Sequence, residues 1–166
     1  INELAGITGL ANDYYMKYDF HSPAARIKNF LWEAFASHYI EIVKPRTYNQ
    51  DKEFTKEEQL SALFTLHYCL KILLKLLAPI IPMATYRIYN DLYGDDIHSE
   101  EFPKAGKKFL ASFTIPDLSE LNGTIWKAKK DKQLSLKSPI KSLTVSKKFF
   151  QAEKDMIAAH NTEKIE

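Results

Sequence analysis

The stretch from Ser22 to Arg46, SPAARIKNFLWEAFASHYIEIVKPR, leaves this chain few choices of fold. Ile27, Phe30, Leu31, Ala34, Phe35, His38 and Ile42 recur at helical spacing, and Trp32, Ala36, Tyr39 and Val43 make a second apolar patch beside them. Ser22 is placed to cap the helix and Pro23 to take its first position, where a missing N–H costs nothing. Arg26, Asn29, Glu33, Ser37 and Lys44 leave only a narrow sector for water. A helix apolar on two sides has to be packed on both, so the stretch predicts the central helix of a bundle.

Helical signals continue on either side of it. Asn2 to Met16 predicts a first helix through Leu4, Ile7, Leu10, Ala11, Tyr14 and Tyr15, and Tyr18 to His21 a turn into the second. Thr55-Lys56-Glu57-Glu58 has the spacing of a capping box, opening a helix with Leu60, Leu63, Phe64, His67, Leu70, Leu74 and Leu77 on one face. Pro79 and Pro82 break it, and Pro82 can start a fourth helix that runs to Tyr93 and closes at Gly94. Four helices with short connections predict an antiparallel bundle over residues 1–103. From residue 104 a small basic unit is expected. Thr114-Ile115-Pro116-Asp117 starts a helix to about Gln133 with Leu118, Leu121, Ile125 and Ala128 inward, Ile140 to Val145 alternates as a strand, Ser146 to His160 is helical, and Thr162 to Glu166 can be a second strand. The fold class is therefore mainly α, a helical bundle followed by a small α/β appendage.

Composition narrows the function. A hydrophobic fraction of 45% with 13% aromatics in 166 residues belongs to a folded protein with a sizeable core. The greasiest stretch, Leu70 to Ile81, is broken by Lys71, Lys75 and Pro79, so no membrane span is expected. The single Cys69 rules out an internal disulfide or a cysteine-built zinc site and reads as a buried thiol. The chain opens mid-pattern without an initiator Met, as a piece of a longer polypeptide would. Residues 1–103 hold 10 Lys and Arg against 14 Asp and Glu, and residues 104–166 hold 13 against 7. A basic region on a mildly acidic body points to a polyanionic partner. There is no glycine-rich phosphate loop and no nucleophile elbow, so no catalytic residue is assigned. His38 and His67 fall on apolar stripes, but no carboxylate or thiol completes a metal site around them; hydrogen-bonded core histidines are expected.

Three stretches resemble a known family. Asn29-Phe30-Leu31-Trp32-Glu33 followed by His38-Tyr39-Ile40-Glu41-Ile42-Val43-Lys44-Pro45-Arg46 is similar to the first long helix of the anticodon-binding bundle of class I aminoacyl-tRNA synthetases, and its ending resembles the valyl-tRNA synthetase version. Leu76-Leu77-Ala78-Pro79-Ile80-Ile81-Pro82-Met83 resembles the junction between the last two bundle helices, and Asp96-Ile97-His98 with Phe102-Pro103 the exit segment of archaeal-type members. Ile125-Trp126-Lys127-Ala128-Lys129-Lys130, leading to Ser138-Pro139, resembles the motif of spaced basic residues before a serine-proline turn; bacterial members usually use arginine where this chain has Lys127 and Lys130, and the lysines keep the charge but lose the bidentate phosphate geometry of arginine.

The resemblance implies an anticodon-binding region that holds tRNA, valine tRNA first, for a catalytic domain of the same polypeptide. The enzyme would be cytoplasmic, with no membrane partner, and would use ATP and Mg outside this segment, which itself carries no cofactor. Neither adenylate-forming signature of class I synthetases occurs here. Lys127, Lys129, Lys130 and Lys132 lie on consecutive helical turns and are the candidates for RNA phosphates, with Arg26, Lys44 and Arg46 as their counterparts in the bundle. Arg46 could pair instead with Glu41 or Asp51. Tyr48, Asn49, Tyr86 and Arg87 are the candidates for base contacts. An isoleucyl or leucyl enzyme's domain, or a helical protein-interaction module that ignores RNA, are the alternatives.

Overall fold

Thr55 and Glu58 form the capping box that the sequence spells. The Glu58 N–H donates to Thr55 Oγ1 at 3.2 Å, and the Thr55 N–H to Glu58 Oε2 at 2.7 Å. In the computed structural model, which describes residues 1–166, the helix that follows is one of seven: α1 Asn2–Tyr15, α2 His21–Asn29, α3 Glu41–Tyr48, α4 Lys56–Leu77, α5 Pro82–Tyr93, α6 Ile115–Asp131 and α7 Glu153–His160. Two short strands, β1 Ile140–Leu143 and β2 Thr162–Ile165, pair in parallel with Ile140 opposite Thr162 and Leu143 opposite Ile165. A strand–helix–strand unit follows a basic helix, within a mainly helical chain, as expected.

The central stretch is helical from His21 to Tyr48, but not as one α-helix. Between α2 and α3, Phe30–Ile40 is a π-helix, with i→i+5 hydrogen bonds. Five-residue steps bury Phe30 and Phe35 and leave Trp32 at 69% exposure, so the second apolar patch read from α-helical spacing turns outward at Trp32 and Ala36. The start also differs. The helix begins at His21 with Phe20, not Ser22, at the cap position, and Asp19 just before it meets the first turn: its carboxylate accepts from the Ser22 N–H at 3.0 Å and the Ser22 hydroxyl at 2.6 Å.

The chain forms two units, Ile1–Trp32 with Phe64–Phe109, and Glu33–Leu63 with Leu110–Glu166; two of the three boundaries fall inside helical stretches and the third in the connection before α6. In the first, Leu74, Tyr89 and Ile97 form a buried cluster, closed by Leu70, Ala78 and Tyr93. The buried side of α4 here is Cys69, Leu73, Leu74 and Leu76, while Leu60, Phe64 and His67 are exposed, so the stripe is rotated from the one read in the sequence. By length and composition alone α4 is long and apolar enough to cross a membrane, a test that the core helix of a folded unit also passes. Its lysines are nevertheless engaged within the unit: Lys75 pairs with Glu100 at 2.6 Å, and the Lys71 ammonium lies 5.3 and 5.2 Å from the ring centres of Tyr89 and Tyr93. Pro82 opens α5 and Gly94, at φ +74°, closes it.

In the second unit Ile42, Leu118, Phe149 and Met156 make the core, with Phe113, Leu121 and Val145 packed against it. Thr114 and Asp117 cap α6 reciprocally, and Lys148 reaches Asp117 at 2.6 Å, which holds that carboxyl well below the ordinary carboxylate range.

Candidate nucleic-acid interface

Four residues at helical spacing on α6, Leu118, Asn122, Ile125 and Lys129, are its buried stripe, and two of them are polar. Asn122 and Lys129 are 0% and 2% exposed, and both meet His160, itself 2% exposed at the end of α7. His160 Nε2–H donates to Asn122 Oδ1 at 3.0 Å, and Asn122 Nδ2 donates to His38 Nδ1 at 3.4 Å; an amide oxygen only accepts and an amide nitrogen only donates, so His38 Nδ1 carries no proton in this arrangement and that ring is neutral. Burial and the nearby Lys129 charge bring His160 down to about 4, and burial also lowers His38. His38 in turn stacks on Trp126, ring centres 5.2 Å apart and planes 11° from parallel. The expected bundle histidine is thus a member of a buried polar chain, and no three His, Cys, Asp or Glu side chains converge on a metal position.

The Lys129 ammonium has three N–H groups and three carbonyls to meet them: Leu136 at 2.8 Å, Ser138 at 2.9 Å and His160 at 2.8 Å. Asn161 Nδ2 holds the intervening Lys137 carbonyl at 3.2 Å. The turn after α6 is therefore pinned to the end of α7, with Leu136 and Lys137 fixed at the surface. Lys129 is a correction to the sequence reading. Its charge is committed inside the fold and does not face solvent with its neighbours.

The remaining candidates are placed as follows. Lys127 and Lys130 are exposed and border a shallow depression with Trp126, Leu134, Ser135 and Leu136. Lys44, Tyr48 and Asn49 line a second, larger cleft of ≈ 730 Å³ with Lys137, and Trp126 and Leu136 belong to both. That volume suits a nucleotide-sized group. Glu41, Asp51 and Glu53 stand on the larger cleft, and Lys44 is paired with Glu41 at 3.2 Å, so the positive side is that of Lys127, Lys130 and Lys137. Tyr48 is 66% exposed. Asn49 is spent on the fold: at φ 46° it ends α3, and its side chain donates to the Phe54 carbonyl at 2.7 Å and accepts the Phe54 N–H at 3.0 Å. Arg46 pairs with Asp155 at 3.1 Å, not with Glu41 or Asp51. Burial pushes the Asp155 carboxyl up while Arg46 opposes the shift. Lys132 is exposed at the end of α6. Arg26, exposed on α2, and Arg87, paired with Asp91 at 2.8 Å, belong to the other unit, as does Tyr86, which stacks on His98. Trp126, Leu136 and Lys137 line these clefts and were not among the residues singled out from the sequence; for Trp126 the signal was an aromatic four residues before a lysine on a basic helix.

Residues 1–145 match the family described as the anticodon-binding domain of tRNA ligase. The chain belongs to that family. Similar proteins include the valine–tRNA ligase of Pyrobaculum aerophilum, 38% identical over 88% of this chain and 19% of the relative. Those of Aeropyrum pernix, 34% identical over 81% of the chain and 17% of the relative, and Archaeoglobus fulgidus, 30% over 98% and 19%, are further matches. The chain thus spans about a fifth of the length of these relatives. The tRNA-ligase domain's match covers α1 to β1, so the cleft-forming α3 and α6 both lie within it.

Proposed function

We propose that this domain binds the anticodon stem-loop of tRNA, valine tRNA first, through the clefts beside Trp126, and serves a valine–tRNA ligase whose catalytic domain, with its ATP and Mg, lies elsewhere in the polypeptide. The observation that carries this reading is the joining of two clefts at Trp126 and Leu136, edged by Lys127, Lys130 and Lys137. Bases splayed from a loop need apolar and aromatic surface, and their phosphates need cations within a few ångströms. The names of the similar proteins supply the choice of valine. The ligase would work in the cytoplasm.

Binding of valine tRNA, the same tRNA with an altered anticodon, and isoleucine tRNA across a salt series tests it. Valine tRNA is expected to bind most tightly, with log affinity falling linearly in log salt. Equal binding of all three would leave RNA binding without the valine assignment, and no binding at low salt would end the reading. One observation favours a protein partner instead: Met83, Ile88 and Leu92 of α5 are 80%, 44% and 50% exposed. That surface would explain a chain that captures a helix and ignores RNA.

A further inference from the structure

We propose that Trp126 is a stacking platform for one unpaired RNA base, with the ribose against Leu134 and Leu136 and a neighbouring phosphate on Lys130. This rests on the RNA-binding reading above. The indole is held from behind. One side lies on His38, which is oriented by Asn122, which is fixed in turn by His160. A half-buried tryptophan supported in this way loses little freedom when a base settles on it, because its orientation is already set. Beside it, Leu134 and Leu136 are 41% and 52% exposed, and Lys129 and Asn161 pin the turn that presents Leu136. Apolar side chains kept at the surface by a buried ammonium form a prepared floor, unlike scattered exposed leucines.

The charge sits where a strand's backbone would pass. Lys130 is four residues after Trp126 and therefore one turn along the same face of α6, and Lys127 borders the same depression. A base lying on the indole leaves its phosphate on the side of these ammoniums. No amide or carboxylate stands on this depression to make a paired contact with a Watson–Crick edge: its lining is Trp126, the two lysines, two leucines and Ser135. The platform therefore takes a base by its π-face, tolerant of sequence, and adds affinity more than choice of anticodon.

The chain has two tryptophans, so Trp32→Phe leaves Trp126 as the only one. Titrating that variant at pH 7.5 with a hexameric single-stranded RNA, an abasic hexamer of equal charge and valine tRNA reads the platform directly. Quenching of Trp126 by the hexamer and the tRNA, and not by the abasic strand, is the expected result. In the otherwise native chain, Trp126→Leu should weaken binding of the hexamer roughly ten- to a hundredfold, while Trp126→Phe recovers most of the loss. The abasic strand should bind all three proteins alike. tRNA bound without quenching, or Trp126→Leu binding the hexamer as tightly as the native chain, overturns the platform and leaves the RNA-binding reading standing. Failure of the native chain to bind either RNA at low salt overturns both. Because the fluorescence experiment keeps Trp126 itself, a folding defect in Trp126→Leu cannot mimic either result.

Discussion

Replacing Lys129 by methionine keeps the length of the side chain but removes the N–H groups that meet the carbonyls of Leu136, Ser138 and His160. One buried and two part-buried acceptors would lose their donor, at about 1 to 3 kcal/mol each where water does not replace it. Lys129→Met is therefore expected to lower stability by about 3 kcal/mol or more in urea unfolding. Lys127→Met and Lys130→Met, on exposed side chains, should stay within about 0.5 kcal/mol of the native chain. The contrast separates the structural lysine from the two that face solvent. His160 gives a prediction of known sign. Its folded value of about 4 lies below the ordinary 6.5, so between these the unfolded chain binds more protons than the folded one. This contribution to stability is complete above pH 6.5 and is lost as pH falls toward 4, at about 1.4 kcal/mol per unit at the steepest. His38 shifts in the same direction, while Asp155, held up by burial, adds an opposite slope at the acidic end. Unfolding midpoints at pH 7.5, 5.5 and 4.5 should show the loss, and His160→Gln, which keeps an N–H donor but does not titrate, should flatten it. Nothing in the run Lys127-Ala128-Lys129-Lys130 distinguishes its middle lysine, because the carbonyls that claim Lys129 come from a turn and a helix end far along the chain.

Among the elements, α6 was legible at its start and misread along its face. Thr114, Pro116 and Asp117 are local signals, and the capping box formed as spelled. Thr114→Ala should cost about 1 kcal/mol and be visible as a lower unfolding midpoint with unchanged cooperativity. The stripe, however, was read through Leu121 and Ala128, and the buried positions are Asn122 and Lys129, one residue further on. Apolar counting cannot assign an asparagine and a lysine to an interior whose partners are distant. The Phe30–Ile40 segment fails for a different reason. Its residues are as helical as their composition promised, but i→i+5 bonding changes which of them share a face, and apolar periodicity was measured against the wrong turn. On α4 the apolar residues are spread round most of the helix, so several stripes fit the sequence equally, and packing chose Leu73 and Leu76 over Leu60 and Phe64.

For the molecule as a whole, the number of phosphates engaged can be counted by salt. Each cation removed from a single-stranded RNA contact lowers the slope of log affinity against log salt by about 0.7. Lys127→Met and Lys130→Met should each do so for tRNA binding, whereas Arg87→Met, on the other unit and paired with Asp91, should change the slope less. The mainly helical architecture and the small basic α/β piece were readable because caps, prolines and periodicity are local. The cleft was readable only in part: its lysines and Tyr48 stood out by type, but the joining of Lys44 and Tyr48 to Trp126 depends on residues some eighty positions apart. The division of the chain has a further consequence, for synthesis. The second unit takes its first portion from residues 33–63 and its last from 110–166, so a ribosome delivers about a third of it and then makes the other unit's remaining stretch before the rest arrives. Met156 and His160, both buried in this unit, emerge only after that stretch. Ile42, whose core partners are Leu118, Phe149 and Met156, must wait in the nascent chain while more than seventy residues are added, which makes the segment from residue 110 onward, rather than the N-terminal helices, the step that commits this half to its fold.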